Sequence, residues 1–133
     1  MRTTHEISVY VRFCETDAVG HVNNTSHFLY FEEARTKFFK ELYPERNSSF
    51  SFILASIKCD YLEQAYSGQT LIVSTYVIRI GSKSFTIKHK LLNKDTGSII
   101  ATADAVTVCF DYIEQKALSI SESLRMDLEK YLV

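Results

Sequence analysis

The stretch that decides the fold runs from Asp17 to Phe39 and reads DAVGHVNNTSHFLYFEEARTKFF. Beyond its first eight residues, large side chains recur at steps of three and four, the spacing that places them on one face of a helix. The positions in this stripe are Phe28, Phe31, Ala34, Arg35, Phe38, Phe39 and Leu42. The pattern predicts a long helix that buries one broad, mostly aromatic face.

The ends of this helix are marked by residues with well-known positional preferences. Asn23 and Asn24 can each accept a hydrogen bond from the free amides of a first helical turn, so the helix is predicted to start there. Pro44 lacks an amide hydrogen and disfavours helical geometry at Tyr43, so the helix is predicted to stop before it.

The segments around the helix have the patterns of strands. Ile7, Val9, Val11 and Phe13 alternate with polar residues, which predicts a strand with one buried face leading into the motif. A second strand is predicted from Phe52 to Tyr61. A short terminal helix is predicted from Ser121 to Leu132.

The second half of the chain is rich in β-branched and aromatic residues divided by turn signals. The runs TLIVSTYVIRI, SFTIKHKLL and the segment 98–110 predict three antiparallel strands joined by short hairpins. In the last of them Ala101, Ala103 and Ala105 fall on one face, which leaves that face smooth. The fold class is therefore α+β, with an antiparallel sheet wrapped around a long central helix.

Composition excludes several classes of protein. The chain has 133 residues, 46% apolar, with a formal charge of −1, so one compact domain of residues 1–133 is predicted and neither disorder nor nucleic-acid binding is indicated. No leader and no apolar run of roughly 20 residues is found, which favours a cytoplasmic protein without a membrane span. Three widely spaced cysteines form no zinc-site pattern, and no cofactor-binding motif is present.

The residues alone leave the role of Asp17 open. Aspartate is common in turns because its side chain bonds to nearby backbone amides, and this is the favoured interpretation. In the alternative, the carboxylate stands beside the partly positive amides of the helix start, which can stabilise an oxyanion. A carboxylate in that position suits acyl transfer or hydrolysis, as a nucleophile or as the base that activates water.

Other polar residues near the motif also allow two interpretations. Gly20 indicates a backbone with positive φ or a close approach. His21 and His27 are six residues apart without a third ligand at a helical step, so a hydrogen-bonding role is favoured over a metal site. Lys83, in a predicted hairpin, either meets phosphates or only adds solubility.

The segment VRFCETDAVGHVNNTSHFLYFEEAR, residues 11–35, resembles the signature of hotdog-fold acyl-CoA thioesterases of the 4-hydroxybenzoyl-CoA thioesterase type. The resemblance extends over essentially the whole chain, through IRIGSKSFTIKHKL and ATADAVTVCFD. It implies that Asp17 is the catalytic carboxylate and that the backbone amide of Asn24 polarises the thioester carbonyl. The substrate-binding residues that we expect around them are Gly20, His21, Asn23, His27 and Lys83. The chain departs from the family at His27, where a tyrosine is usual.

The run HVNN is also similar to acyl-ACP thioesterases, although Val19 stands where those enzymes have an asparagine. The expected substrate is therefore an acyl-CoA or acyl-ACP thioester, and the carrier stays open. The alternatives are a hotdog protein that binds acyl thioesters without turnover, and a dehydratase or hydratase on the same scaffold. The resemblance further implies a homodimer or homotetramer with active sites at subunit boundaries.

Overall fold

The computed structural model describes residues 3–43 and 50–133. Its elements are β1 (His5–Tyr10), α1 (Asn24–Leu42), β2 (Phe50–Tyr61), β3 (Thr70–Ile80), β4 (Ser84–Asn93), β5 (Ile99–Asp111), β6 (Lys116–Ala117) and α2 (Glu122–Glu129). Strands β1 to β5 form one antiparallel sheet in the order β1-β3-β4-β5-β2. The short strand β6 pairs with the C-terminal end of β5. The predicted order of a strand, a long helix and a run of antiparallel strands is confirmed.

Helix α1 starts where its capping residue predicts. Asn23 is the N-cap, and its side-chain oxygen accepts a hydrogen bond from the Thr25 amide at 3.0 Å. At the other end, the amide of Tyr43 donates to the carbonyl of Phe39 at 2.9 Å, and the helix ends at Leu42. The predicted stop at Pro44 lies outside the described residues.

The buried face of α1 differs from the predicted stripe at its first position. Phe28 is 37% exposed, whereas His27 takes the buried place and is followed by Tyr30 and Phe31. Phe28 keeps the three-residue step to Phe31 and so lies on the stripe by helical spacing, but its side chain is only partly covered by the residues that the structure describes at this end of the helix. The remaining predicted positions are buried: Phe31, Ala34, Arg35, Phe38, Phe39 and Leu42.

The smooth face predicted for β5 is confirmed. Ala101 and Ala103 are buried in the same cluster as Phe31 and Ala34 of α1, and Ala105 lies in a second cluster around Phe38. Small side chains on the sheet leave room for the aromatic side chains of the helix. The helix is therefore held against the inner face of the sheet along its length.

Strand β1 is shorter than predicted, and Phe13 lies outside it. The chain turns through a short 3-10 helix at Phe13–Glu15, and the Phe13 side chain is 82% exposed. The turn is held by Glu15, which accepts hydrogen bonds from the Arg12 amide at 2.9 Å and the Arg12 guanidinium at 2.8 Å. A further bond to Glu15 comes from the Tyr30 hydroxyl at 2.8 Å. Partial burial raises the pKa of Glu15, but these bonds outweigh it and lower that pKa overall.

The boundaries of two other predicted elements move by a few residues. Strand β2 begins at Phe50 rather than Phe52. Helix α2 begins at Glu122 after the N-cap Ser121 and ends at Glu129. The predicted end at Leu132 is too late, because Leu132 instead pairs with Val77 of β3 in an isolated bridge.

The interior contains an unexpected imidazole. His89 of β4 is fully buried, and its Nδ1 lies 2.8 Å from the Thr75 hydroxyl of β3. Its ring stacks on Phe31 of α1, with centroids 5.3 Å apart. Burial, with the nearby charge of Arg35, lowers the pKa of His89 to about 3, so this side chain is neutral at neutral pH.

Candidate active site

The motif before α1 folds into a small hairpin. Thr16 pairs with Val22, and the Asp17 amide donates to the His21 carbonyl at 2.8 Å. Gly20 closes the turn by donating to the Asp17 carbonyl at 3.1 Å, with a φ of +84°. A Cβ at Gly20 would meet no atom within 4 Å, so glycine serves the backbone conformation rather than a close approach.

The Asp17 carboxylate organises this hairpin with one oxygen only. Its Oδ1 accepts hydrogen bonds from the amides of Val19 at 3.0 Å and His21 at 3.2 Å. Asp17 is exposed, and its other oxygen has no partner within residues 3–43 and 50–133. The two interpretations of Asp17 are therefore compatible: one oxygen holds a turn and the other is available for chemistry.

The two asparagines at the helix start have different roles. The Asn23 amide donates to the Glu15 carbonyl at 2.9 Å, so it is not free to bind an oxyanion. The Asn24 amide opens the 19-residue helix and has no acceptor in the part of the chain that the structure describes. The helix dipole adds partial positive charge at this amide.

A pocket of about 330 Å³ lies against this end of the helix. The residues that line it are Asn24, His27, Tyr61, Leu62, Glu63 and Gln64. Asn24, whose amide is free, and His27, one turn along the helix, are therefore both part of this pocket. Asp17 and His21 are not among the lining residues and lie on the adjoining hairpin.

The wall formed by residues 61–64 was not anticipated from the sequence. It follows the end of β2 and is tied to the hairpin, because the Val22 amide donates to the Ala65 carbonyl at 2.8 Å. His21 pairs with Tyr66, and their rings meet edge-on with centroids 5.1 Å apart. The only sequence signal was the polar pair Glu63 and Gln64 directly after a strand.

His27 is a buried residue of the pocket lining. Its Nδ1 lies 3.1 Å from the Asn23 carbonyl, and its ring meets Tyr61 edge-on with centroids 5.0 Å apart. Burial lowers the pKa of His27, although the bond to Asn23 partly opposes this effect. His27 is therefore a neutral imidazole at neutral pH.

Lys83 is not brought to this site within one protomer. Strand β3 begins at Thr70, which pairs with Tyr10 at the end of β1 that leads into the Asp17 hairpin. Lys83 follows the opposite end of β3. Eleven residues of strand separate the two ends by roughly 30 Å. Lys83 could act only at a site to which a second subunit contributes.

Within residues 3–43 and 50–133 the structure contains no group of three or more His, Cys, Asp or Glu side chains that could hold a metal ion. His21 and His27 instead contact aromatic rings. In the same residues, no helix is both long and apolar enough to cross a membrane.

Comparison with protein families gives a match to the Thioesterase-like superfamily over residues 11–128. The chain belongs to this superfamily. It is 38% identical to the uncharacterized protein YsmA of Bacillus subtilis over 112 residues, which cover 84% of this chain and 76% of YsmA. It is 26% identical to the long-chain acyl-CoA thioesterase FadM of Escherichia coli over 133 residues, covering 94% and 97% of the two chains.

The structural comparison agrees with this membership. A predicted thioesterase from Bacillus stearothermophilus superposes with a TM-score of 0.89 at 28% identity, covering 98% of each chain. The protein described here therefore has the hotdog fold, in which the antiparallel sheet wraps around α1. Its membership supports thioester hydrolysis as the general activity.

Proposed function

We propose that this protein hydrolyses an acyl-CoA, or a similar acyl thioester, to a free acid and a thiol. The observation that carries the proposal is the free amide of Asn24, a residue that lines a pocket at the start of α1 and directly follows the hairpin with the exposed Asp17 carboxylate. The thioester carbonyl would accept a hydrogen bond from this amide. That hydrogen bond strengthens as the carbonyl oxygen becomes negative in the transition state.

In this proposal the free oxygen of Asp17 drives the reaction. As a general base, it takes a proton from water while the water oxygen attacks the carbonyl carbon. As a nucleophile, it attacks that carbon directly, expels the thiolate and leaves an acyl anhydride that water then hydrolyses. In both routes water is consumed, the carbon–sulfur bond breaks and the thiolate is protonated.

The first test is release of free thiol from a panel of thioesters. The panel runs from short to long and from aliphatic to aromatic acyl groups, each on CoA and on acyl carrier protein. We expect turnover with at least one CoA thioester, and the comparison of carriers decides between the two thioesterase types. Saturable binding without thiol release would instead identify a non-catalytic acyl-binding protein. Loss of 2-enoyl-CoA absorbance without thiol release would identify a hydratase.

We further propose that two copies pair along the edge strand β2 to form a dimer, with a tetramer as the larger alternative. Strand β2 has 12 residues, and within residues 3–43 and 50–133 its strand partner is β5 alone, so its outer side presents unpaired backbone groups there. Beside it lies a groove of about 230 Å³, lined by Phe39 of α1 with Phe52 and Leu54 of β2 among others. A second copy would cover both features.

Light scattering tests this assembly. We expect a mass of at least twice 15.3 kDa at micromolar concentration. Leu54→Lys puts a charge on the exposed edge and is expected to shift the mass toward the monomer. Met126→Lys adds the same charge to an exposed position of α2 and should leave the mass unchanged. A parent protein that is monomeric under these conditions would contradict the proposal.

A cytoplasmic location is part of this proposed function. Cys14, Cys59 and Cys109 are all free thiols. Unpaired cysteines are typical of proteins from a reducing compartment.

A further inference from the structure

His27 presents a hydrogen-bonding atom that has no partner. The residue is only 3% exposed. Its Nδ1 faces the Asn23 carbonyl at 3.1 Å, and a carbonyl can only accept, so Nδ1 carries the hydrogen. Nε2 is therefore an acceptor with a free lone pair. It is buried and finds no donor in residues 3–43 and 50–133.

An unpaired acceptor of this kind calls for an explanation, because buried polar side-chain atoms in native proteins nearly all have partners. The hydrogen bond to the Asn23 carbonyl sets the orientation of the ring. Its neutral state at neutral pH keeps the lone pair available. Other buried atoms of the described residues share this state, His89 Nε2 among them, but of the residues that line the pocket at the start of α1 it is His27 that carries such an atom.

The position of His27 indicates where a donor would come from. His27 and Asn24 line the same pocket and are three residues apart, so they lie on one face of the first helical turn. With a thioester carbonyl at the Asn24 amide, the imidazole lies one turn further along the helix. The side chain that packs on the imidazole is Tyr61, which is 43% exposed and can change rotamer to admit a ligand.

We propose that His27 Nε2 accepts a hydrogen bond from a hydroxyl group on the acyl part of the substrate. His27 would thereby select hydroxylated acyl thioesters over their unsubstituted analogues. This inference rests on the proposed function. A hydroxyl satisfies Nε2, whereas an unsubstituted acyl group that displaces water from the pocket leaves it unpaired. Sites that hydrogen-bond a substrate hydroxyl discriminate strongly against analogues without it.

The test compares matched substrates that differ by one hydroxyl. One pair is 3-hydroxybutyryl-CoA and butyryl-CoA, and the other is 4-hydroxybenzoyl-CoA and benzoyl-CoA; the two pairs distinguish an aliphatic from an aromatic source of the hydroxyl. The measured quantity is the ratio of kcat/KM within each pair. For the parent protein we expect one pair to favour the hydroxylated member by about 10-fold or more.

His27→Phe keeps a flat ring against Tyr61 but removes the acceptor, so we expect that ratio to fall to about one. His27→Gln offers a carbonyl oxygen near the place of Nε2 and should restore part of the preference. A ratio that is the same in the parent and in His27→Phe for both pairs would overturn the inference.

A failure of the proposed function gives a different result. If the parent hydrolyses none of the thioesters, the dissociation constants of the same four CoA thioesters replace kcat/KM. The parent should then bind the hydroxylated member more tightly, and His27→Phe should lose that difference. Equal dissociation constants within both pairs would overturn the inference even for a protein without turnover.

Discussion

Asp17→Asn is expected to lower the turnover of an acyl thioester by at least about 10²-fold. The asparagine side chain keeps an oxygen that can accept from the Val19 and His21 amides, so the hairpin retains its shape. What changes is the free carboxylate oxygen, which becomes an uncharged NH2 group that can neither attack carbon nor take a proton from water. The loss should therefore appear in kcat, measured by thiol release.

A matched control separates the loss of the Asp17 carboxylate from the general loss of one negative charge. Asp127→Asn removes a partly exposed carboxylate from α2, where it pairs with Lys130 at 3.2 Å. This variant should keep the parent rate. If Asp17→Asn hydrolyses acyl-CoA as fast as the parent, Asp17 is not the catalytic carboxylate, and the hairpin has only a structural role.

Acidification is expected to destabilise the protein through His89. The pKa of His89 is about 3 in the folded protein, whereas its ordinary value, taken for the unfolded chain, is 6.5. As the pH falls, the unfolded chain therefore binds a proton at His89 before the folded protein does. This contribution to stability is complete above pH 6.5 and is lost progressively between 6.5 and about 3. In that window, this single group lowers the free energy of unfolding by up to about 1.4 kcal/mol per pH unit.

Urea unfolding at a fixed protein concentration and at several values between pH 7 and pH 4 tests this expectation. His89→Asn can still meet the Thr75 hydroxyl but does not titrate, so its unfolding free energy should fall less steeply with acid. Thr75→Val removes the hydroxyl and keeps the imidazole, so the steep dependence should remain. Parallel pH dependences for the parent and His89→Asn would show that His89 does not protonate on unfolding.

The successful fold predictions rest on patterns that are local in the chain. The three- and four-residue spacing located α1, and the alternation of alanines located the smooth face of β5. The errors occur where other parts of the fold override the pattern. Phe13 continues the alternation of β1 in sequence, yet the hydrogen bond between Arg12 and Glu15 holds it in a turn instead of a strand. Phe28 continues the aromatic run, yet His27 occupies the buried position.

The site follows the same division. Capping by Asn23 and the positive φ of Gly20 could be predicted, since each depends on the preference of one residue. The wall from Tyr61 to Gln64 could not, because it reaches the hairpin through a contact between Val22 and Ala65. The roles of Asp17, Asn24 and His27 in turnover stay predictions for the experiments above.

Periodicity and capping preferences in the sequence were sufficient for the helix, the strands and their order, because these signals act over a few neighbouring residues. The tertiary structure decided which polar atoms are left free for chemistry. Only the bond from Asn23 to Glu15 shows that the Asn24 amide, and not the Asn23 amide, is available. The packing of the helix also shows that His27, a residue of the pocket lining, has a buried nitrogen without a partner in the described residues. Hydrogen bonding and burial depend on residues that are distant along the chain, so they are determined when the helix meets the sheet.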